Sequence, residues 1–352
     1  MKNETTITTA HGSGGRDTAL LVEKVFRRRL SNDILDRMDD AAVLGIGGRL
    51  AVTTDSFVVT PLFFSGGDIG KLSVCGTVND LLAVGAEPKY MTCGFILEEG
   101  LELSRLERVV ESMAREAAAA GVRVVAGDTK VIEGKGGMYI NACGIGALSD
   151  GREIGSESCV AGDKVLVSGT LGDHHACILS ARMGIENSIV SDCACLNDVA
   201  EALIASKVKV RAMRDVTRGG LATVLNEIAA ASGIFVELDE EAIPVGVEVK
   251  ALCGLMGLDP LYMGNEGKMV VIVSGNDAEK ALRAMRETKH GKDAEIVGHV
   301  VNSTRDENQA KAAKPDAMTK DLIMNQGVVV KTKLGGRRRL DMLHGEGLPR
   351  IC

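Results

Sequence analysis

Apolar positions along this 352-residue chain come in short runs, and their period changes from run to run. Recurrence every three or four residues marks one face of a helix; alternation or clustering between turn residues marks a strand. Residues 20–30 read as a short helix, and 41–44 and 50–54 as two strands joined by a turn at Gly47-Gly48. Ile69, Leu72, Val78, Leu81 and Leu82 fall near helical spacing, which predicts a helix over 68–84 that stops at Gly85. A strand follows over 90–97. Ser104-Arg105-Leu106-Glu107 has the form of a capping box. It opens a helix with Leu106, Val109, Val110, Met113 and Ala117 on one face, ending at Gly121. Strands over 122–126 and 138–148 then flank a loop at 127–137.

A second half begins near Cys159. It reads as a strand over 164–168, helices over 173–183, 196–205 and 220–231, a strand over 268–274, a helix over 277–289 and a strand over 294–301. The order is not a clean alternation of strand and helix, so α+β domains are expected rather than a doubly wound sheet. Residues 302–325 are polar and charged and read as an exposed excursion or linker. Val328-Val329-Val330 resumes a strand, and a basic tail follows. The expected organisation is an N-terminal arm and helix (1–35), a first domain (36–150), a second domain (158–326), and a strand with a mobile tail (327–352).

Length allows about two domains of ordinary size. Aromatics make up only 3% of residues and Trp is absent, so the core must be aliphatic. The net charge of -7 argues against general nucleic-acid binding. The tail 327–352 carries four Arg and two Lys against one Asp and one Glu, a balance of +4 that leaves -11 elsewhere. No signal peptide is read before the first helix, and no apolar run reaches about 18 residues, so a cytoplasmic protein without a membrane anchor is expected. The nine Cys form no CxxC pair. Cys193 and Cys195, like Cys75 and Cys93, are close but lack zinc-knuckle spacing, and most Cys read as small buried hydrophobes. His174-His175 with Cys177 reads as capping and packing. Cys352 differs, because a thiol at the end of a loose Gly-rich segment can travel between sites.

Carboxylates recur where strands meet loops: Asp39-Asp40, Asp55, Asp80, Asp128 and Asp215. Each alone is an ordinary turn or cap residue. Together, beside Gly-rich loops, they suit Mg²⁺ and phosphate. Gly66-Gly67-Asp68-Ile69-Gly70-Lys71 is not a Walker P-loop, since Leu72 stands where Ser or Thr is required. The backbone of Gly12-Ser13-Gly14-Gly15 could form an anion nest. Gly127-Asp128-Thr129-Lys130 and Gly264-Asn265-Glu266-Gly267-Lys268 are further compact polar loops.

His11-Gly12-Ser13-Gly14-Gly15, Asp40-Ala41-Ala42, Thr54-Asp55-Ser56-Phe57, Gly76-Thr77-Val78-Asn79-Asp80, Gly127-Asp128-Thr129-Lys130, Arg214-Asp215-Val216-Thr217-Arg218-Gly219-Gly220 and the terminal Pro349-Arg350-Ile351-Cys352 resemble the HypE family over almost the whole chain. These are hydrogenase maturation proteins of the aminoimidazole-ribonucleotide-synthetase-like (PurM-like) superfamily. The resemblance implies a two-domain fold: an N-terminal mixed sheet forming a dimer barrel, a C-terminal α/β-sandwich domain and a flexible tail. It implies ATP-dependent dehydration of an S-carbamoyl group on Cys352 to S-cyanide for [NiFe]-hydrogenase assembly. ATP and Mg²⁺ are the implied cofactors. A HypF-type carbamoyltransferase, a HypC–HypD complex and a second copy of the chain are the implied partners. The residues matched to nucleotide binding are His11, Gly12, Gly14, Gly15, Thr77, Asn79, Asp80, Asp128, Lys130 and Asp215. Those matched to metal are Asp40, Asp55, Asp80, Asp128 and Asp215. Cys352 is the carrier, Lys130 the cation near the transferred phosphoryl group and Glu266 the base. Arg337, Arg338 and Arg339 would bias the tail toward an acidic cleft. The alternatives are another ATP-dependent enzyme of the superfamily, of selenophosphate synthetase or thiamine-monophosphate kinase type, and a nucleotide-switched carrier.

Overall fold

The structure, a computed structural model, describes residues 6–13, 15–38, 41–149, 154–301, 326–345 and 347–352. The expectation of an excursion over 302–325 lies outside these residues. The chain divides into two compact units. One comprises Met1–Glu153, Cys177–Asn197 and Leu348–Cys352; the second comprises Ile154–Ala176 and Asp198–Gly347. Segments 177–197 and 348–352, which chain order places with the second half, therefore pack with the first. A reading of local periodicity does not register such long-range returns.

The first unit opens with α1 (Arg16–Leu21), which passes through a π-helical stretch (Val22–Arg27) into α2 (Arg28–Leu30). Its sheet contains β1 (Arg49–Phe57), β4 (Glu87–Glu98), β5 (Arg123–Ile132) and β6 (Met138–Leu148), in the order β1-β6-β4-β5. Only the β4–β5 pair is parallel, so the sheet is mixed. A small ladder of β2 (Phe63–Phe64) and β3 (Gly67–Asp68) leads into α3 (Ile69–Ala83). The amphipathic α4 (Leu103–Ala119) precedes β5. No strand forms over 41–44; β1 already occupies the sheet edge and pairs only with β6. The expected loop at 127–137 is shorter, because β5 continues through Asp128 and Lys130. Register with β4, Gly94 opposite Asp128 and Ile96 opposite Lys130, supplies the ladder there. Pairing thus overrides the turn signal of Gly127.

Helix α3 is buried at almost every position. It starts where expected because Asp68 caps it, its Oδ1 accepting from Gly70 N at 2.8 Å and Lys71 N at 3.1 Å. Its close packing demands small residues. A Cβ on Gly70 would strike the Val109 carbonyl, one on Gly76 the Phe57 ring, and one on Gly144 of β6 the Thr77 side chain. Helix α4 differs from expectation at its start: Glu102 is the N-cap residue, and Ser104 lies inside the helix without capping it.

The second unit is built on a seven-stranded sheet in the order β13-β12-β9-β11-β7-β10-β8. Its elements are β7 (Lys164–Val167), α5 (Asp173–Met183, whose C-terminal part from Cys177 falls in the first unit), α6 (Asn197–Ala205), β8 (Val210–Asp215), α7 (Gly220–Ser232), β9 (Phe235–Asp239), α8 (Val247–Met256), β10 (Met269–Val273), α9 (Ala278–Arg286), β11 (Glu295–Val301), β12 (Gly327–Lys331) and β13 (Arg337–Leu340). Leu221, Leu225 and Ile228 of α7 pack on Val236, Val270, Val297, Val328 and Leu340 of the sheet. Every residue of β10 is buried, which explains its unbroken apolar run. The sequence pattern did not mark β8, β9, α8 or β13. The strand β13 also corrects the role expected of the tail arginines. Arg337 pairs with Glu237 at 2.9 Å, Arg338 with Asp259 at 2.9 Å and Arg339 with Asp341 at 2.7 Å, so all three are engaged within this unit.

Replacing Asp68 with Ala should lower the unfolding free energy by about 1 kcal/mol, the usual cost of a lost N-cap. Ser104→Ala should stay within about 0.5 kcal/mol of wild type. Urea denaturation of the full-length protein checks both.

Candidate active site

Two carboxylates lie along the contact of β1 with α3. Alternation along β1 turns Thr53, Asp55 and Phe57 to the helix-covered side. The Thr53 hydroxyl donates to Asp80 Oδ2 at 2.6 Å, which fixes the half-buried Asp80 carboxylate at the end of α3. Asp55 stands two residues on, on the same side. Thr77 lies one helical turn before Asp80; its Oγ1 is buried and has no hydrogen-bond partner among the described residues. Asn79 lies one residue before Asp80 on the same helix. It is fully buried, with Nδ2 donating to Ala194 O at 3.0 Å and Oδ1 accepting from Leu196 N at 2.9 Å. Each end of its amide makes one bond that fastens the 194–196 loop to α3.

Asp128 and Lys130 occupy the other face. Thr129 points inward, and the two exposed charges meet across the alternation with Lys130 Nζ at 2.5 Å from Asp128 Oδ2. The Lys130 ammonium, aided by the Thr129 amide, holds the Asp128 carboxyl below its ordinary range. The expected acidic set therefore splits into Asp55 with Asp80 on one face and Asp128 with Lys130 on the other. Asp40 and Gly14 lie outside the described residues. His11 is buried and accepts from Thr8 N at 3.1 Å through Nδ1. Gly12 sits so close to β5 that a Cβ would strike Val131 N. Gly15, at the start of α1, is exposed. A cavity of about 170 Å³ opens beside Asp128 and Thr129, walled by Phe26, Leu30, Leu35, Met38, Cys93 and Phe95.

The tail returns to this same unit. Arg182, near the end of α5, gathers three backbone carbonyls: its Nε donates to Thr60 O at 2.7 Å, its Nη1 to Pro349 O at 2.6 Å and its Nη2 to Arg350 O. Thr60 N adds a bond to Arg350 O at 3.1 Å. Ile351 is buried, Cys352 is half-buried, and Arg350 holds a left-handed backbone with φ of 53°. Arg350 also lines a cavity of about 600 Å³ together with Glu98, Arg105, Lys135 and Tyr139. Glu98 accepts from Lys135 N at 2.7 Å, Gly137 N at 2.8 Å and Tyr139 OH at 2.8 Å. These donors, with Arg350 nearby, hold its carboxyl below the ordinary value.

The remaining expected residues lie in the second unit. Asp215 ends β8 opposite Met269. The following turn requires glycine, since Gly220 has φ of 64° and a Cβ there would strike the Leu261 carbonyl. Glu266 is buried on the loop before β10. Asn265 staples that loop: its Nδ2 donates to Val216 O at 2.9 Å and its Oδ1 accepts from Gly172 N at 2.7 Å.

The same assembly recurs in known proteins. Residues 38–148 match the AIR synthase related protein N-terminal domain and residues 160–311 the corresponding C-terminal domain. The carbamoyl dehydratase HypE of Azotobacter vinelandii is 46% identical over 347 residues, covering 97% of this chain and 96% of that protein. A solved structure of the hydrogenase maturation protein HypE in complex with ATP matches with a TM-score of 0.90 and 45% identity, over 99% of this chain and 100% of that one. A chain of a HypE–HypF complex matches with a TM-score of 0.75 and 43% identity, over 92% and 99%. The chain belongs to the HypE family. Its two-domain α+β fold is that of HypE structures. No described helix is long and apolar enough to cross a membrane.

Sequence reasoning did not single out Arg182, Thr53 or Glu98, whose bonds order this unit. Thr53 had a readable signal, since it lies two residues before Asp55 on a predicted strand. Arg182 had none, because its partners Thr60 and Pro349 are 122 and 167 residues away and contribute only main-chain atoms.

Tyr139→Phe should raise the titration of Glu98 toward the ordinary value of 4.5. A carboxyl held below that value stabilises the fold above it, and the contribution is lost as pH falls through the folded-state pKa. The variant should therefore differ most from wild type in stability near neutrality and converge with it in acid. Carboxyl NMR titration and urea unfolding against pH check this.

Proposed function

We propose that this chain is the carbamoyl dehydratase of [NiFe]-hydrogenase maturation: it carries a carbamoyl group on Cys352 and uses ATP to dehydrate it to a thiocyanate. The observation that carries the reading is the seating of the Cys352 segment, by Arg182 and Thr60, on the unit that bears Asp55, Asp80, Asp128 and Lys130. Its kinship supports the same activity, since the relatives are carbamoyl dehydratases and one of the matching HypE structures holds ATP.

The apolar cavity under Phe26 and Phe95 suits a nucleoside base, and Asp128 at its edge puts the charged groups at one end. The chemistry of the donors fits magnesium: Asp55 and Asp80, oxygen donors on one face of the first sheet, would hold the ion beside the buried Thr77 hydroxyl, which has no hydrogen-bond partner among the described residues, while Asp128 and Asp215 are proposed ligands from the matching motifs alone. When bound, the ion supplies positive charge that offsets the phosphate oxygens. Asp40, from the matching motif, belongs to the same proposed set.

The reaction asks three things of the chain. Cys352 must present its carbamoyl oxygen to the terminal phosphorus of ATP, so that a C–O–P link forms and ADP departs. Lys130 supplies a cation for the charge that shifts during this transfer. Glu266 accepts a proton from the carbamoyl nitrogen. Both N–H protons then leave, the C–O bond breaks, phosphate departs and S–C≡N remains. The sum is one ATP and one S-carboxamide giving ADP, phosphate, a proton and the S-cyanide. Arg182 is a positioning residue that steadies the tail through its carbonyls.

The tail's partners follow from its role. A HypF-type transferase loads Cys352, as the family's HypE–HypF complex supports, and a HypC–HypD complex receives the cyanide. A second copy of the chain is expected on the open face of the first sheet, where Leu50, Val52 and Ile96 are exposed.

Mass spectrometry of the C-terminal peptide, after incubation with carbamoyl donor, transferase and ATP, should show a carbamoyl adduct on Cys352 that then loses one water. An unmodified Cys352, or an adduct that keeps its water with ATP present, overturns the reading. Arg182→Ala should slow single-turnover dehydration roughly tenfold, the equivalent of one charge-assisted hydrogen bond, while nucleotide affinity measured by calorimetry stays unchanged.

A further inference from the structure

Away from the carbamoyl chemistry, the first unit gathers three sulfurs and a carboxylate. Among the described residues, the ligand atoms of Cys75, Glu116 and Cys195 all lie within 4.8 Å of one another. Cys75 Sγ is 3.7 Å from Cys195 Sγ and 3.9 Å from Glu116 Oε1. The Cys193 thiol lies beside this group, within hydrogen-bonding reach of Cys75, but outside the set of three mutually close ligand atoms. Three separate elements contribute: Cys75 from α3, Glu116 from α4, and Cys193 and Cys195 from the segment that ends at α6.

We propose that Cys75, Cys195 and Glu116 form a binding site for a thiophilic divalent cation, with zinc the best match and the neighbouring Cys193 thiol or a water as the fourth ligand. Spacing supports this. Zinc bound to thiolates at about 2.3 Å in a tetrahedron sets sulfur–sulfur edges of about 3.8 Å, and the Cys75–Cys195 separation is 3.7 Å. Charge supports it as well. Two thiolates and one carboxylate carry one negative charge more than a divalent ion neutralises, so the ion is fully compensated without Cys193. Loop construction is the third support. Asn79 fixes the backbone at Ala194 and Leu196, on either side of Cys195, and the Ser191 hydroxyl accepts from Cys193 N at 3.1 Å. The segment is thus held in place by bonds that do not involve the sulfurs. Glu116 is partly exposed and gives the ion a way in, and Cys75 and Cys193 are buried beneath it. Binding releases the thiol protons and joins α3, one turn ahead of Asp80, to α4 and the 193–196 segment.

The test uses untagged full-length protein purified under reductant. Elemental analysis should find one zinc per chain that survives gel filtration, and Cys352→Ala should keep it. Cobalt added to chelator-stripped protein should give thiolate-to-cobalt charge-transfer absorption with tetrahedral d–d bands. Cys195→Ser, at the half-exposed position, should weaken cobalt binding roughly a hundredfold or more, beyond what loss of an outer-shell partner costs, and Glu116→Gln should weaken it less. Folded, reduced protein that shows neither bound metal nor thiolate–cobalt absorption overturns the proposal. So do a disulfide among the three cysteines in the reduced protein and an unchanged affinity in Cys195→Ser. None of these readouts depends on dehydratase activity, so the metal site and the proposed function fail separately.

Discussion

Close approach of α3 to its neighbours is the constraint on which the first unit is built. The helix has almost no exposed face, so it cannot be positioned by amphipathic packing alone. Glycines at 70, 76 and 144 remove the side chains that would hold it away from α4, β1 and β6. In a close-packed interior even one methyl group in these seams must be accommodated by backbone movement. The arrangement places Asp80 under the Thr53 hydroxyl, Thr77 beside Gly144, and Asn79 where it can grip a loop more than a hundred residues ahead. Chemistry and framework share one helix, and adjacent positions serve different purposes.

Much of this was legible in the chain. The 68–84 helix was readable from Ile69, Leu72, Leu81 and Leu82 with Asp68 before them, since caps and periodicity are local signals. The family motifs located the unit that holds most of the expected residues. What sequence could not show was which face each residue takes. Asp128 and Lys130 read as a loop because Gly127 punctuates the run, yet pairing with β4 extends the strand through both and sets them apart from Asp55 and Asp80. The three tail arginines read as a solvated docking patch. The acidic partners that hold Arg337 and Arg338, Glu237 and Asp259, lie far away in sequence. Asn79 matched a family motif, and its two bonds to the 194–196 loop could not be read from that motif.

The tail shows how a strand and a tether can be combined. Residues 327–331 and 337–340 are tied into a sheet by backbone pairing and ion pairs. Beyond Leu340 the described residues have no regular structure, and the last five pack with the first unit. Only the short irregular stretch between has to accommodate movement. A basic tail loose from residue 327 onward is therefore not what the structure shows, because 327–331 and 337–340 are paired in the sheet.

The left-handed backbone of Arg350 has a bearing on turnover. A residue with a Cβ costs about 1–2 kcal/mol in that conformation, so the seated tail is a slightly cocked catch. Arg182 and Thr60 close it, and the stored tension favours release. A segment seated in this way is held firmly by its main-chain bonds and still gives back part of that energy when it lets go.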